Sequence, residues 1–245
     1  MAILLLRLCA PMQSWGTQSR FTNRDTELEP SKSGVIGLIC AARGIPRDDL
    51  SSLEELAKLK MGVRVDREGA VKRDFHTTGG WHLKKDSAYG VPTANGKGRG
   101  TVTSDRFYLS DACFLVALHG EATLLERIHH ALNRPVWQLY LGRRSFVPGL
   151  PVWLEDGLKP DAGDLKEALN NYPYLCRQKP WDEDDHPIRL EFEVPYAEGD
   201  RVKYDQPISF QDGNRRFGLR HVKTEFVDVH SLPPAEKEEL CTFLA

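Results

Sequence analysis

The chain has 245 residues, is 40% hydrophobic and carries a formal net charge of −2. That size supports one good core or a main domain with a smaller one, and the near-neutral charge argues against a freestanding, strongly basic nucleic-acid binder. No run of about 18 apolar residues occurs, and Met1-Ala-Ile-Leu-Leu-Leu is broken by Arg7, so neither a membrane span nor a signal peptide is expected and the protein reads as cytoplasmic.

Residues 3–8 read as a buried strand, with Arg7 its one charge, and Pro11 ends it because proline lacks an amide proton. A polar loop follows, carrying Arg20, Arg24 and Lys32. Ser33 is then expected as an N-cap, Val35, Ile36, Leu38, Ile39 and Ala42 as a packed helical face, and Gly44 as the stop. Backbone N–H groups at such a helix start, beside Lys and Arg, form a seat for phosphate. A short helix over 51–57 is expected to be capped by Ser51 or Ser52. Residues 60–66 alternate as a half-buried strand.

From Arg67 to Arg106 the apolar pattern nearly disappears, which is too long for an ordinary connection and suggests a functional excursion. Cationic and aromatic side chains are mixed along it, including Lys72, Arg73, Phe75, His76, Trp81, His82, Lys84, Lys85 and Tyr89. Such a mixture suits stacking of unpaired bases and neutralisation of phosphates. Residues 95–100 lack the Gly-Lys-Ser/Thr ending and preceding strand of a P-loop, and read as the tip of the excursion.

Residues 112–118 form a nearly all-apolar central strand, and 121–132 an amphipathic helix. His129 and His130 are adjacent there and point in different directions, so they do not make a two-ligand metal site. A last strand over 136–141 or 152–154 would complete a split β-α-β, ferredoxin-like arrangement. Leu141-Gly142-Arg143-Arg144-Ser145 offers close backbone approach and two forked guanidinium groups suited to phosphate. A short helix is expected over 164–170, and a small antiparallel unit over 188–229. The carboxylates at 182–185 are contiguous, hence splayed, and read as a solvated run. The five cysteines form no C-x-x-C pair and are expected to be reduced thiols. Charge is divided: 17 Lys and Arg stand against 12 Asp and Glu through Ser110, and 16 against 23 beyond it. One face suited to a polyanion and another turned toward proteins would produce this split.

Five stretches in order resemble one family: Pro11-Met-Gln-Ser-Trp-Gly16, Ser31-Lys-Ser-Gly-Val-Ile-Gly-Leu38, Gly44-Ile-Pro-Arg-Asp-Asp49, Arg73-Asp-Phe-His-Thr77, and Tyr140-Leu-Gly-Arg-Arg-Ser145 followed by Pro148. They are similar to the CasD-type subunit of type I-E CRISPR surveillance complexes (Cascade), over residues 4 to about 175. The resemblance implies the same ferredoxin-like (RNA-recognition-motif-like) fold that the element order suggests, so the chain is read as α+β, with that domain over 1–155, a long thumb hairpin inserted at about 67–110, and, from the alternation beyond residue 188, a small β-rich C-terminal region over 156–245. It also implies a non-catalytic subunit that caps the protein backbone and grips the 5′ handle of the guide RNA. The expected partners are that RNA, the backbone and large subunits, and target DNA through the complex, with no cofactor, metal or membrane.

The residues expected to contact RNA are Gln13, Ser14, Trp15, Arg20, Arg24, Lys32 and Ser33 on one side of a groove. Arg143, Arg144 and Ser145 are expected on the other, and Arg73, His76 and Thr77 on the thumb. Two alternatives remain. A metal-independent endoribonuclease could draw a base and a cation from His76, His82, Lys84, Lys85 and Tyr89. A protein-only scaffold would need none of these contacts.

Overall fold

The computed structural model describes residues 1–18, 22–79, 90–94, 99–160, 163–176 and 187–233. The first half comprises β1 (Ala2–Cys9), β2 (Met12–Gln13), β3 (Asn23–Arg24), α1 (Lys32–Arg43), α2 (Leu50–Ala57), β4 (Lys60–Arg67), β5 (Ala70–Thr78), β6 (Val91–Pro92), β7 (Arg99–Gly100) and β8 (Val102–Ser110). Beyond these come β9 (Cys113–Gly120), α3 (Ala122–Asn133), β10 (Trp153–Lys159), α4 (Leu165–Asn170), β11 (Ile188–Glu193), β12 (Arg201–Ser209) and β13 (Arg216–Val227). The fold is α+β with mostly antiparallel pairing.

The continuous apolar run of β1 has a simple cause: both faces of its sheet are covered. Ala2, Leu4, Leu6 and Leu8 face one core with α1 and α3, whereas Ile3, Leu5 and Cys9 face a second core with α4. The central strand β9 divides the same way, with Phe114, Val116 and Leu118 on one side and Leu115 and Ala117 on the other. Strand order in this sheet is β10-β1-β9-β4-β11-β13-β12, every pairing antiparallel. Of the two alternatives for a closing strand, 152–154 marks β10, while residues 136 and 137 hydrogen-bond to the carbonyls of Ala42 and Ala41 at the end of α1.

Helix starts differ from expectation. Ser31, not Ser33, caps α1, its Oγ accepting from Gly34 N at 3.3 Å. Asp49, not Ser51 or Ser52, caps α2, accepting from Ser52 N at 2.9 Å. Gly44 ends α1 with φ 67°, the left-handed conformation that glycine adopts without strain.

The excursion contains regular structure. β5 pairs with β8 along its whole length, from Ala70 opposite Ser110 to Thr78 opposite Val102. Every residue of β5 is exposed, which is why no apolar period marks it. On its other edge β8 takes β2 antiparallel and β3 parallel, so this small sheet sits over the loop after β1. Trp81, His82, Lys84, Lys85, Tyr89, residues 95–98, the acidic run 182–185 and any helix after Pro234 lie outside the described residues.

The C-terminal strands join the main sheet edge-on through β11, whose Arg189 and Phe192 pair with Val65 and Gly62 of β4. Arg64 of β4 is fully buried and uses all its donors. It binds Asp66 at 2.6 and 2.9 Å and the carbonyls of Leu169, Tyr172 and Pro173 at 2.5–2.7 Å. Cys40, Cys113 and Cys176 are free and buried; Cys9 is disulfide-bonded, unlike the expected reduced thiol. No described helix is long and apolar enough to cross a membrane.

Candidate nucleic-acid interface

Just after β1 the polar side chains turn inward and find partners there. The Gln13 side chain is fully buried: its amide nitrogen donates to the carbonyls of Leu8 (3.1 Å) and Ala112 (2.7 Å), and its oxygen accepts from Trp15 Nε1 (3.2 Å). Trp15, also buried, packs on α1 where Gly34 leaves room; a Cβ there would stand 2.9 Å from the indole. Gln13 and Trp15 therefore hold the loop, leaving Ser14 between them at the surface of a cleft.

That cleft is closed on its far side by the 141–146 turn. Ser14 N donates to the Leu141 carbonyl at 3.1 Å, and Phe146 N to the Arg143 carbonyl at 2.9 Å. Gly142 has φ 96°, and a Cβ on it would fall 1.8 Å from the Ser14 carbonyl oxygen, so only glycine permits this approach. The two loops, about 130 residues apart in the chain, are thus in direct contact.

Arg143 is held where they meet. Its guanidinium donates to the Phe107 carbonyl at 2.8 Å and lies 5.4 Å from the Phe146 ring centroid. Burial first, then the nearby Arg106 cation and, more weakly, Arg24, push its pKa down, while Asp74 and Asp25 oppose the shift. Three guanidinium groups sharing one neighbourhood repel each other, and an anion placed among them would relieve that repulsion.

Ser14, Arg24, Ser33, Arg106, Arg143 and Arg144 line a single cavity of about 800 Å³. Ser145 is exposed on the same turn but outside the cavity wall. Arg73, His76 and Thr77 stand on the exposed β5 ribbon, and none lines the cavity. Arg73 Nε is 3.9 Å from Asp105, and His76 Nε2 is 2.9 Å from Asp74. Arg20 lies outside the described residues.

Lys32 faces the other way. It is 2% exposed, its ammonium is 3.0 Å from Glu193, and its backbone N–H donates to Asp205 at 2.8 Å. Burial lowers its pKa, opposed by Glu193. It belongs to a buried network in which Glu29 binds Lys203 and Arg189, and Arg220 binds Asp205. This network anchors the segment before α1 to β11, β12 and β13, fixing the helix start beside the cavity.

Reasoning from sequence noted Arg106 only as the end of the basic excursion and not among the RNA contacts, because that segment has no apolar period to say which way a side chain faces. It also missed the aromatic part of the cavity wall, Trp137, Phe210 and Phe217, because only tertiary pairing brings these residues to α1.

Residues 3–223 match the family described as "CRISPR-associated protein (Cas_Cas5)". The chain belongs to this Cas5 family. Among curated relatives, the CRISPR system Cascade subunit CasD of Escherichia coli (strain K12) is 36% identical over 182 residues, 69% of this chain and 76% of that protein. Two solved structures are similar over nearly all of this Cas5-family chain. One is described as a Cas protein, with 41% identity, a TM-score of 0.72, and coverage of 95% of this chain and 98% of that one. The other belongs to a CRISPR RNA-guided surveillance complex, with 37% identity, a TM-score of 0.77, and coverage of 97% and 95%.

Proposed function

We propose that this Cas5-family chain is a non-catalytic RNA-binding subunit of a type I-E Cascade complex, gripping the 5′ handle of the guide RNA and capping the protein backbone for interference with target DNA. The observation that carries this reading is the convergence of Ser14, Arg24, Arg106, Arg143 and Arg144 on one cavity. Its cations are forked donors suited to phosphate, and two of its walls are backbone loops locked by glycine and hydrogen bonds. The E. coli relative's description as a Cascade subunit and the surveillance-complex neighbour support the same assignment.

In this reading the strand order β10-β1-β9-β4 with α1 and α3 is a ferredoxin-like core that runs to the end of β10 at Lys159, four residues past the boundary expected at 155, and the residues beyond it form the smaller C-terminal region. The β5–β8 ribbon is the thumb, presenting Arg73, His76 and Thr77 to the guide and the neighbouring backbone subunit. Gln13, Trp15 and Lys32 act as positioning residues, and Ser33, Arg20 and Ser145 border the RNA path. The protein works in the cytoplasm, with the large subunit as a further neighbour. A few phosphate contacts give weak binding alone at physiological salt, so assembly supplies the affinity.

The test is guide retention. Complexes assembled with Arg143→Ala/Arg144→Ala should lose guide RNA on purification, whereas retention equal to wild type would favour a scaffold that touches only protein.

A further inference from the structure

Two chain crossings lie side by side where the β5–β8 ribbon leaves the main sheet. β4 is still paired at Arg67, opposite Cys113 of β9, and β5 is paired from Ala70, opposite Ser110 of β8. Only Glu68 and Gly69 on one strand, and Asp111 and Ala112 on the other, separate the two sheets. Both crossings use left-handed backbone. Gly69 has φ 74°, and a Cβ on it would fall 2.8 Å from both the Ser110 carbonyl oxygen and the Ala112 methyl. Asp111 has φ 60° and is, among the described residues, the one other than glycine with a positive φ.

Aspartate tolerates this conformation better than most side chains, yet the neighbouring structure must still hold it there. Three contacts do so. The Asp111 N–H donates to the Pro11 carbonyl at 3.0 Å, its carboxylate stands 3.1 Å from the Arg67 guanidinium, and the Gln13 amide donates to the adjoining Ala112 carbonyl at 2.7 Å. The Arg67 and Asp111 side chains are 26% and 22% exposed, so water screens their attraction less than on an open surface. On the other crossing Glu68 accepts from Arg189 at 3.1 Å, and Arg189 also donates to Glu29 at 2.6 Å. The elbow is thereby tied both to the loop after β1 and to the segment before α1, which border the cleft.

The joint matters because the ribbon is a long lever. Its strands have nine residues each, which at about 3.3 Å per residue make an arm of about 30 Å, so a slack of about 10° at the root moves the far end by about 5 Å. That exceeds the rise of about 3.4 Å per nucleotide of a stacked strand. The near part of β8 is fixed at the cleft, where the Phe107 carbonyl accepts from Arg143 and from the Ser14 hydroxyl. The angle at the elbow then decides which nucleotide the ribbon reaches.

We propose that Asp111, latched to Arg67 beside Gly69, is a positioning residue that holds the β5–β8 ribbon at one angle to the cleft, so that guide RNA seated on the arginine cluster also meets the ribbon. The proposal rests on the RNA-binding reading above. The latch itself touches no RNA: the Arg67 cation is committed to Asp111, and the pair acts only through the direction of the ribbon.

The experiment compares assembled complexes carrying Asp111→Gly, Arg67→Met, both together, or Arg67→Lys. Asp111→Gly keeps the left-handed backbone and the bond to Pro11, so it should fold, which its denaturation midpoint checks. Guide retention should fall by about 10-fold or more in each of the first three, because a misaligned second contact loses its effective concentration. The double variant should lose no more than either single one, the mark of one shared contact. The salt slope should stay at the wild-type value, since no phosphate contact is removed. Arg67→Lys keeps a cation facing Asp111 and should retain the guide within about twofold of wild type. Spin labels at the exposed Val102 on the ribbon and Glu126 on α3 give a readout that lost stability alone would not move. Their distance distribution in the full chain should broaden in Asp111→Gly. Unchanged retention, an unbroadened distribution, or additive losses with a lower slope in Arg67→Met overturn the positioning role while leaving the arginine cluster standing. If Arg143→Ala/Arg144→Ala also leaves retention unchanged, the RNA-binding reading fails with it.

Discussion

Ser14 and Leu141 are joined by one backbone hydrogen bond, 3.1 Å from the Ser14 N–H to the Leu141 carbonyl, and the next residue, Gly142, lies so close that a methyl group would overlap the Ser14 oxygen. The placing of Arg143 and Arg144 in the cavity wall depends on that contact. It sets Arg143 against the Phe107 carbonyl and places the two loops as facing walls.

Gly142→Ala is therefore expected to act on both stability and binding. The strained left-handed backbone and the forced separation from Ser14 should cost about 3 kcal/mol, read as a lower midpoint in chemical denaturation. Because the walls move apart, RNA binding should also fall, even though no charge is removed. A variant with wild-type stability and affinity would mean that the loops adjust independently.

Removing cations one at a time should separate the cluster from the ribbon. Arg106→Ala and Arg143→Ala should each lower the log–log salt slope of RNA binding by about 0.7, the value for one phosphate contact on a single strand. Arg143→Lys should keep the slope, since an ammonium still neutralises a phosphate, yet lose affinity, because it cannot hold the Phe107 carbonyl and a phosphate with one planar fork. Lys32→Ala should leave the slope unchanged and reduce stability, because its ammonium is committed to Glu193. An altered slope in Lys32→Ala would place that side chain on the RNA.

The contrast between Lys32 and Arg143 marks what sequence reading could reach. β1 and β9 were legible as continuous apolar runs, and α1, β4 and α3 because each carries apolar residues at its own period. So was the approach of the 13–33 loop to Arg143 and Arg144, which rested on a family resemblance carried by glycine, tryptophan and arginine at matching places. Gln13 and Lys32 looked like ligands because polar residues in a loop usually face water. They are buried by groups about 100 and 160 residues away, Ala112 and Glu193, which no local pattern announces. The joining of β11 to β4 was illegible for the same reason, since strand pairing at that separation leaves no local trace. The cap positions were missed by two or three residues because several Ser and Asp side chains compete within one turn, and only geometry decides which one reaches a free N–H.

Arg64 offers a stability test that should not touch RNA. Truncating one partner of a buried, hydrogen-bonded ion pair leaves the other charge uncompensated, so Arg64→Met should destabilise by about 3–5 kcal/mol. Three carbonyls of the 169–173 segment lose their donor as well. Pairing it with Asp66→Asn should recover part of the loss. Equal destabilisation by the single and double variants would show that the carbonyl contacts, not the ion pair, dominate.

Acid should loosen the anchor of α1. Glu29 is buried, which alone would raise its pKa, but Lys203 and Arg189 outweigh this and hold it at about 2, below the ordinary value of 4.5. A carboxylate depressed on folding stabilises fully above its unfolded pKa, and that contribution fades as pH falls from 4.5 toward 2. Glu191 and Glu193 shift upward through burial and act in the opposite sense. Denaturation across pH 2–6 should show a shallower acid loss in Glu29→Gln than in wild type, from a lower starting stability. Parallel curves would mean that Glu29 does not carry the dependence.

The distinction between holding and cutting RNA turns on His76. Its Nε2 is 2.9 Å from Asp74 on an exposed strand, so a histidine–carboxylate pair is present. Yet it is not among the residues lining the cavity where the arginines gather. Metal-independent cleavage needs a base at the attacking 2′-hydroxyl and a cation at the developing charge within one site. Pure protein incubated with repeat RNA in EDTA is expected to leave it intact, and His76→Ala should leave guide retention by the complex within about twofold of wild type, as expected for a surface polar contact. Site-specific cleavage that disappears in His76→Ala would instead place a catalytic centre on the ribbon and require the RNA to bend from the cavity to β5.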